Sequence, residues 1–240
     1  MAALLEVQGL SKHFGGLAAV SDVSFSVAEG EMVGLIGPNG AGKSTTFSLL
    51  TGFETPSAGT VRFGGESLAG LKPHQICRRG MARTFQIVKP LSRLSVLENV
   101  MVGAFCREPN RRKALAVAEK EVDFVGLGDC AHQASASLPL ARRKRLELAR
   151  ALATGPRMLL LDEVLAGLNP TETEAAVGLI RRINARGIAI VLVEHVMRVV
   201  MSLSQRVVVL VQGQCLVVGA PAVVSADPRV IEAYLGATHA

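Results

Sequence analysis

The sequence contains no tryptophan and one tyrosine, and aromatic residues make up 4% of its 240 residues. Proteins that bind single-stranded nucleic acids stack the bases on aromatic side chains, and this chain offers few of them. We therefore predict no nucleic-acid partner, although the net charge is +6 and the pI about 9.5. The positive surplus is assigned instead to contact with anionic lipid or with acidic loops of a partner protein.

Long apolar runs and cysteine motifs are also missing. No stretch reaches the roughly 18 uninterrupted apolar residues of a transmembrane helix, because residues 187–203, the nearest candidate, are interrupted by charged side chains. The start of the chain lacks the basic residues that precede the apolar core of a signal peptide. The four cysteines form no C-x-x-C pair and lie near no histidine pattern, so we interpret them as thiols in a reducing compartment. A cytoplasmic protein is predicted.

An apolar content of 49% and a mean hydropathy of +0.36 are high for a soluble protein. Parallel strands that are buried on both faces explain such values, because they form continuous apolar runs. Runs of this kind lie at residues 32–36, 158–161 and 188–193. Between the last two, a helical pattern at residues 171–185 predicts a crossover helix that joins parallel strands.

Shorter β patterns flank the first apolar run. The period-two alternation of residues 23–27 is typical of a half-buried antiparallel strand, and residues 4–7 and 60–63 are predicted as further strands of this lobe. Helical patterns dominate residues 88–155, which we interpret as an inserted helical subdomain. The predicted fold is one α/β domain over residues 1–240, with a mainly parallel core sheet, an antiparallel β lobe and this insertion.

The first apolar run leads into a glycine-rich loop that fits the phosphate-binding pattern G-x-x-x-x-G-K-[ST]. Its fixed positions are Gly37, Gly42, Lys43 and Ser44. The glycines allow the backbone to curl so that N–H groups point at phosphate oxygens, and the helix predicted at residues 43–50 adds the positive end of its dipole. The alternative is a chance match, which the preceding strand and the following helix argue against. The sequence therefore predicts a nucleoside triphosphate site.

The residues predicted to bind the nucleotide form one continuous stretch. They are Gly37, Pro38, Asn39, Gly40, Ala41, Gly42, Lys43, Ser44 and Thr45. The ammonium group of Lys43 is expected to reach the β- and γ-phosphates, and the hydroxyl of Ser44 to complete the ligand shell of a Mg²⁺ ion.

Two carboxylates, Asp162 and Glu163, follow the second apolar run. In an open α/β sheet, the carboxyl ends of the strands are where ligands bind. Asp162 is predicted to hold Mg²⁺ through water, and Glu163 to polarise the attacking water as a general base. Many strands end in acidic turns, so this pair alone would be weak evidence for an active site. Together with the phosphate loop, it indicates hydrolysis of the nucleotide.

Three further residues are candidates for the same site. His195 follows the third apolar run at the same sheet edge, where an imidazole is suited to contact the γ-phosphate, although a lone histidine there is usually structural. Gln86, in a break of the helical pattern at residues 82–91, is suited to sense Mg²⁺ or the lytic water, or is an ordinary exposed glutamine. Phe14, in a segment expected to be flexible at residues 11–16, either stacks on a base or packs in the core.

Together these residues resemble the ATP-binding cassette of ABC transporters over nearly the whole chain. The resemblance implies ATP as the nucleotide and Phe14 as the residue that stacks on adenine. It makes residues 37–44 the Walker A motif and Asp162 the end of Walker B. It also gives catalytic roles to Glu163, His195 and Gln86. The Mg²⁺ ligands that it implies are Ser44, Gln86 and Asp162.

Shorter segments resemble the LivG-type subunit of branched-chain amino acid importers. They are residues 51–53, 82–86, 166–170, 194–195 and 233–236. This likeness implies an ATPase at the cytoplasmic face of the inner membrane, with permease subunits that the groove at residues 86–91 would contact and, indirectly, a solute-binding protein. Lipopolysaccharide-export and urea-import ATPases share these features. An export ATPase and a regulatory cassette with little turnover remain alternatives.

The family's signature, Leu-Ser-Gly-Gly-Gln, is altered in this chain. In its place stand Leu138, Pro139, Leu140, Ala141 and Arg142. Pro139 has neither a hydroxyl nor an N–H group, and the two residues after it crowd the approach of a phosphate. Arg142 either supplies charge or begins a solvated helix. Such cassettes are implied to work as head-to-tail dimers, so we expect a heterodimer with a second ABC ATPase subunit that carries a good signature.

Overall fold

The computed structural model describes residues 3–86 and 90–235, in which the strands form two sheets. The strands are β1 (Ala3–Phe14), β2 (Leu17–Ala28), β3 (Met32–Ile36), β4 (Ala58–Phe63), β5 (Glu66–Ser67), β6 (Met81–Arg83), β7 (Met158–Asp162), β8 (Ala189–Val193), β9 (Arg206–Val211) and β10 (Gln214–Gly219). The helices are α1 (Lys43–Leu50), α2 (Pro73–Arg79), α3 (Val96–Ala104), α4 (Arg111–Phe124), α5 (Leu140–Ala153), α6 (Pro170–Asn184), α7 (Met197–Leu203), α8 (Pro221–Ala226) and α9 (Pro228–Leu235).

The larger sheet has six strands in the order β10-β9-β3-β8-β7-β6. All neighbouring strands run parallel except β10, which is antiparallel to β9. Every residue of β3, β7 and β8 is buried, because one face packs on helices such as α6 and the other on α1 and the second sheet. The predicted parallel core and the crossover helix between β7 and β8 are confirmed.

The parallel direction of these strands places their carboxyl ends at one edge of the sheet. The phosphate loop follows β3, the pair Asp162 and Glu163 comes at the end of β7, and His195 lies two residues beyond β8. Three segments that are distant in sequence therefore meet at one edge.

The second sheet is antiparallel, with the order β2-β1-β4-β5, as the alternating patterns predicted. The expectation of a flexible segment at residues 11–16 is wrong, because β1 continues to Phe14 and pairs with β2 up to Leu17. Register shifts along this pair accommodate the polar residues and Gly9 without ending the strand. Pairing on both sides of β1 supplies the backbone hydrogen bonds that the local sequence does not suggest.

The edge strand β6 corrects a second expectation. Residues 82–91 were expected to be a break between helices, but Met81–Arg83 forms a strand of the core sheet beside β7. Three residues are too few to display a period of two, and the strand is stabilised by pairing with Met158–Leu160 rather than by its own pattern.

Helices α3, α4 and α5 lie between β6 and β7 along the chain and pack on one another. Ser95 caps α3 and exchanges hydrogen bonds with Glu98, and Gly103 of the same helix approaches the backbone carbonyl of Arg150 so closely that no side chain would fit. These helices form the predicted insertion; its proposed first residue, 88, lies outside the described residues. Within the described ranges, no helix is both long and apolar enough to cross a membrane.

Candidate nucleotide site

The phosphate loop lines a pocket of about 540 Å³ together with Glu163 and His195. Seven of the nine residues predicted to bind the nucleotide, Asn39 to Thr45, form its wall. Gly37 and Pro38 lie behind it, and their carbonyl oxygens accept hydrogen bonds from Nζ of Lys43 at 2.6 and 2.9 Å. The ammonium group is thus held by the loop itself, at the place where a phosphate would compete for it.

Lys43 is buried, and two carboxylates that it does not contact directly favour its charged form. Burial lowers the pKa of Lys43, while the carboxylates of Glu163 and Asp162 act in the opposite direction. The predicted role of Lys43 requires the charged form, which these carboxylates favour.

Gly42 shows why the loop needs glycine. It begins α1 with a φ of +96°, and a Cβ atom there would lie 2.5 Å from the carbonyl oxygen of Ala19. Both facts exclude a side chain, since L-residues rarely adopt this conformation and the backbone of β2 cannot move aside easily. The loop is therefore pressed between the β lobe and the core sheet.

The three side chains predicted to bind Mg²⁺, those of Ser44, Gln86 and Asp162, line one pocket of about 510 Å³. Nη2 of Arg83 donates to Oδ2 of Asp162 at 2.8 Å, which leaves Oδ1 for another partner. A hydroxyl, an amide oxygen and a carboxylate oxygen are the hard oxygen ligands that Mg²⁺ prefers. The residues present therefore fit the ion, and ligation of Mg²⁺ by them remains a proposal.

Of the three residues predicted to be catalytic, two contact the carboxylate of the third, Glu163. Nε2 of Gln86 donates to Oε2 of Glu163 at 2.6 Å, and Nε2 of His195 lies 2.7 Å from Oε1. Glu163 is followed by a turn and has a φ of +49°, which is uncommon for a residue with a side chain. This geometry orients the carboxylate toward the phosphate-loop pocket, as a general base requires.

Phe14 lies at the mouth of the same pocket beside Leu17, and the residue is 45% exposed. It belongs to β1 rather than to a flexible segment. Nζ of Lys12 lies 4.9 Å from the ring centroid, so one face of the ring is next to a cation. Stacking of adenine on Phe14 stays a prediction that this position permits.

The altered signature lies at the start of α5, away from the pocket of its own phosphate loop. Leu138 is buried, Pro139 precedes the helix, and Leu140 and Ala141 form its first residues. Arg142 donates to Asp129 at 2.8 Å, so its guanidinium is paired within this chain. Both side chains of this pair are largely exposed, so the ion pair is compatible with the predicted solvated helix start.

Sequence patterns did not single out several buried polar groups around Glu163. Lys144 donates from Nζ to the backbone oxygen of Glu163 at 3.1 Å, and Glu194 accepts from the N–H group of Leu165 at 2.8 Å. Burial raises the pKa of Glu194 to about 7 and lowers the pKa of Lys144. Lys144 belongs to a run of four basic residues, which gave no sign that one member is buried.

Tyr234, the single tyrosine, lies on α9 behind the phosphate loop. Burial raises the pKa of its hydroxyl, while a hydrogen bond to the backbone of Gly37 acts in the opposite direction. Its ring packs beside the cluster that contains Ile36, the last residue of β3. The end of the described chain therefore supports the first residue of the phosphate loop.

Comparisons with known sequences agree with this geometry. A family model described as ABC transporter matches residues 20–166, and one described as branched-chain amino acid ATP-binding cassette transporter matches residues 214–240. The chain is 40% identical to BraF, the high-affinity branched-chain amino acid transport ATP-binding protein of Pseudomonas aeruginosa, over 97% of this chain and 98% of that protein. LivG of Salmonella typhimurium, which carries the same description, is 42% identical with the same coverage. LptB of Acidithiobacillus ferridurans, a lipopolysaccharide export system ATP-binding protein, is 35% identical over 98% of both chains.

Solved structures show the same architecture. An ATP-binding cassette of an ABC transporter in its ADP conformation has a TM-score of 0.88 and 30% identity, covering 98% of this chain and 100% of that one. A nucleotide-free ATP-binding cassette from an ABC transporter has a TM-score of 0.87 and 29% identity, covering 97% and 99%.

Proposed function

Because the chain belongs to the ABC transporter family, we propose that it is the ATP-hydrolysing subunit of an importer for branched-chain amino acids or related small solutes. Family membership confirms the predicted resemblance to ABC transporter ATP-binding subunits, the P-loop cassette fold and the assignment as an ATPase coupled to transport. The observation that carries the proposed chemistry is the convergence of Gln86 and His195 on Glu163 beside the phosphate-loop pocket.

In the proposed reaction, the phosphates of ATP enter the loop and Lys43 exchanges the carbonyl groups of Gly37 and Pro38 for phosphate oxygens. Ser44, Gln86 and Asp162 would hold Mg²⁺, which would supply positive charge beside the phosphates.

Glu163 accepts a proton from the attacking water, while its two neighbours keep the carboxylate directed at the γ-phosphate. Gln86 already donates its amide N–H to Glu163, and its amide oxygen remains available to the ion. His195 faces the other carboxylate oxygen and is positioned to contact the γ-phosphate. A single amide would thus connect the metal ligands to the general base.

The altered signature supports a heterodimer. Leu138 to Ala141 offer no hydroxyl, Pro139 offers no N–H group, and the guanidinium of Arg142 is already paired with Asp129. A second ABC ATPase with an intact signature would complete the site on this chain's phosphate loop. The opposite site, which this chain would complete, would then be weak.

The cargo class and the direction of transport rest on likeness to BraF and LivG and on the C-terminal family model. We propose permease subunits and, indirectly, a solute-binding protein as partners, with the chain bound peripherally at the cytoplasmic face of the inner membrane. Of the groove proposed to contact the permeases, residues 87–89 lie outside the described residues. Lipopolysaccharide export is the second candidate, because LptB is also a relative, at lower identity.

The test compares ATP hydrolysis by the purified chain alone with hydrolysis by the chain combined with its second cassette. We expect turnover to depend on the partner. Turnover at transporter-like rates by this chain alone, with second-order dependence on its concentration, would contradict the heterodimer. Uptake of radiolabelled leucine into vesicles that contain the complete complex tests the cargo, and release of lipopolysaccharide with no leucine uptake would favour the export alternative.

A further inference from the structure

The turn that carries Glu163 is held in an uncommon backbone conformation. A φ of +49° places a residue with a Cβ atom in the left-handed region, where it is strained unless its surroundings fix it. The N–H group of Glu163 donates to the carbonyl oxygen of Val193 at 2.9 Å, which fastens the turn to β8. Because this conformation is strained, we expect additional contacts to stabilise it on the side of the turn opposite β8.

Lys144 supplies a contact on that side. It lies in α5, is 6% exposed, and donates from Nζ to the backbone carbonyl oxygen of Glu163 at 3.1 Å. Two neighbouring basic residues behave differently, because Arg142 pairs with Asp129 and Arg143 donates to the carbonyl oxygen of Leu138. Of these three side chains, Lys144 is the one hydrogen-bonded to the turn at residues 163–166, which we call the catalytic turn.

A buried ammonium group is unfavourable unless partners compensate for lost hydration. Lys144 is compensated by the carbonyl group of Glu163 and by the nearby carboxylates of Glu194, Glu147 and Glu163. Glu194 in turn accepts a hydrogen bond from the N–H group of Leu165, two residues beyond Glu163. One buried cation and one buried carboxyl group therefore hold both ends of the short catalytic turn.

We propose that Lys144 is a positioning residue for Glu163: its ammonium group keeps the backbone of residue 163 in the left-handed conformation that directs the carboxylate at the nucleotide pocket. This inference rests on the proposed function, in which Glu163 is the general base. Lys144 touches no substrate atom in this role and acts through the backbone of Glu163.

The position of Lys144 also connects two sites. It lies two residues after the altered signature, in the second turn of the helix whose start would face the partner's ATP in a head-to-tail dimer. A shift of α5 on dimer closure would be transmitted through Nζ of Lys144 to the turn of Glu163. Catalysis on this chain would then respond to what the start of α5 contacts.

The test uses Lys144→Met, which keeps the length of the side chain and removes its charge and its N–H donors, and Lys144→Arg, which retains both. With the partner cassette present, we expect Lys144→Met to lower kcat at least about tenfold while the KM for ATP changes less than about threefold, because binding residues are untouched. Lys144→Arg should restore most of the rate. Lys120→Met, an exposed lysine of α4, is the matched control and should leave both parameters unchanged.

Hydrogen exchange of the full-length protein provides a readout that does not depend on turnover. We expect the amides of residues 163–166 to exchange faster in Lys144→Met than in the wild type, and those of β3 to be unaffected. Lys144→Gln, which is too short to maintain the contact, carries the same two expectations, so the test does not depend on one variant folding.

A wild-type kcat in both Lys144→Met and Lys144→Gln, or unchanged exchange of the turn, would overturn the proposal. An equal rise in KM and fall in kcat would also overturn it, since that pattern indicates damage to binding. Wild-type protein that fails to hydrolyse ATP with its partner would refute the proposed function instead, and hydrogen exchange would still decide whether Lys144 holds the turn.

Discussion

Strand β8 is followed by a buried carboxyl group whose ionisation we expect to make the stability of the protein depend on pH. Glu194 is 4% exposed, and burial raises its pKa from 4.5 to about 7. Among the groups that face it, Glu163 adds to this rise. The N–H group of Leu165 and the side chains of Lys144 and His195 oppose it. The native state therefore binds this proton more tightly than the unfolded chain does.

The sign and size of the effect follow from linkage. The stabilisation is complete below about pH 4.5, the ordinary pKa of the group, and is lost as the pH rises through about 7, the value in the folded protein. A difference of one pH unit between the two pKa values corresponds to about 1.4 kcal/mol, so the free energy of unfolding should fall by about 3 kcal/mol through this group.

Glu194→Gln removes the titration and retains the acceptor for the N–H group of Leu165. Relative to the wild type, the variant should gain about 3 kcal/mol in the free energy of unfolding between pH 4.5 and pH 8. Urea unfolding followed by circular dichroism at several pH values, at constant ionic strength, measures this difference. Glu119→Gln, on the exposed side of α4, is the control and should show no such trend. A difference between Glu194→Gln and wild type that stays constant with pH would refute the reasoning.

Two further predictions concern the supports of the site. Arg83→Met removes the partner of Asp162 in a buried ion pair, so the free energy of unfolding should fall by about 3 to 5 kcal/mol; urea unfolding at pH 7 measures it, and a loss below about 1 kcal/mol would contradict the pairing. The chain has one tyrosine and no tryptophan, and the hydroxyl of Tyr234 is hydrogen-bonded to the backbone of Gly37 in the phosphate loop. A non-hydrolysable ATP analogue that binds this loop should therefore change the tyrosine fluorescence. Titration in a fluorimeter checks this, and an unchanged signal despite binding measured by calorimetry would contradict the coupling.

The sequence predicted the bounds of secondary-structure elements best where a local pattern reflects burial of the element in the fold. The bounds of β3 and α1 were predicted at residues 32–36 and 43–50 because an uninterrupted apolar run and a phosphate-loop motif leave few alternatives. Strand β6 was missed because three residues carry no period, and the extension of β1 to Phe14 was missed because its stability comes from pairing with two neighbours.

The supports of the site were harder to predict than its reacting groups. Asp162 is recognisable from a strand that ends in carboxylates, but its partner Arg83 is 79 residues away, and the resemblance of residues 82–86 gave Arg83 no role. Lys144 stands among four consecutive basic residues, and burial of one of them depends on how α5 packs on the turn of Glu163. Such contacts are set by tertiary packing and not by local pattern.

The central claim is that this chain's own Glu163 hydrolyses ATP at a site that a second cassette completes. The measurement that tests it most directly is steady-state ATP hydrolysis by the heterodimer that carries Glu163→Gln in this chain alone, compared with the wild-type heterodimer and with Glu119→Gln. We expect activity that requires the partner, that is unchanged in Glu119→Gln, and that is lost by at least about a hundredfold in Glu163→Gln, the range observed for removal of a general base. Partner-dependent activity that survives Glu163→Gln would contradict the claim and place hydrolysis on the other chain.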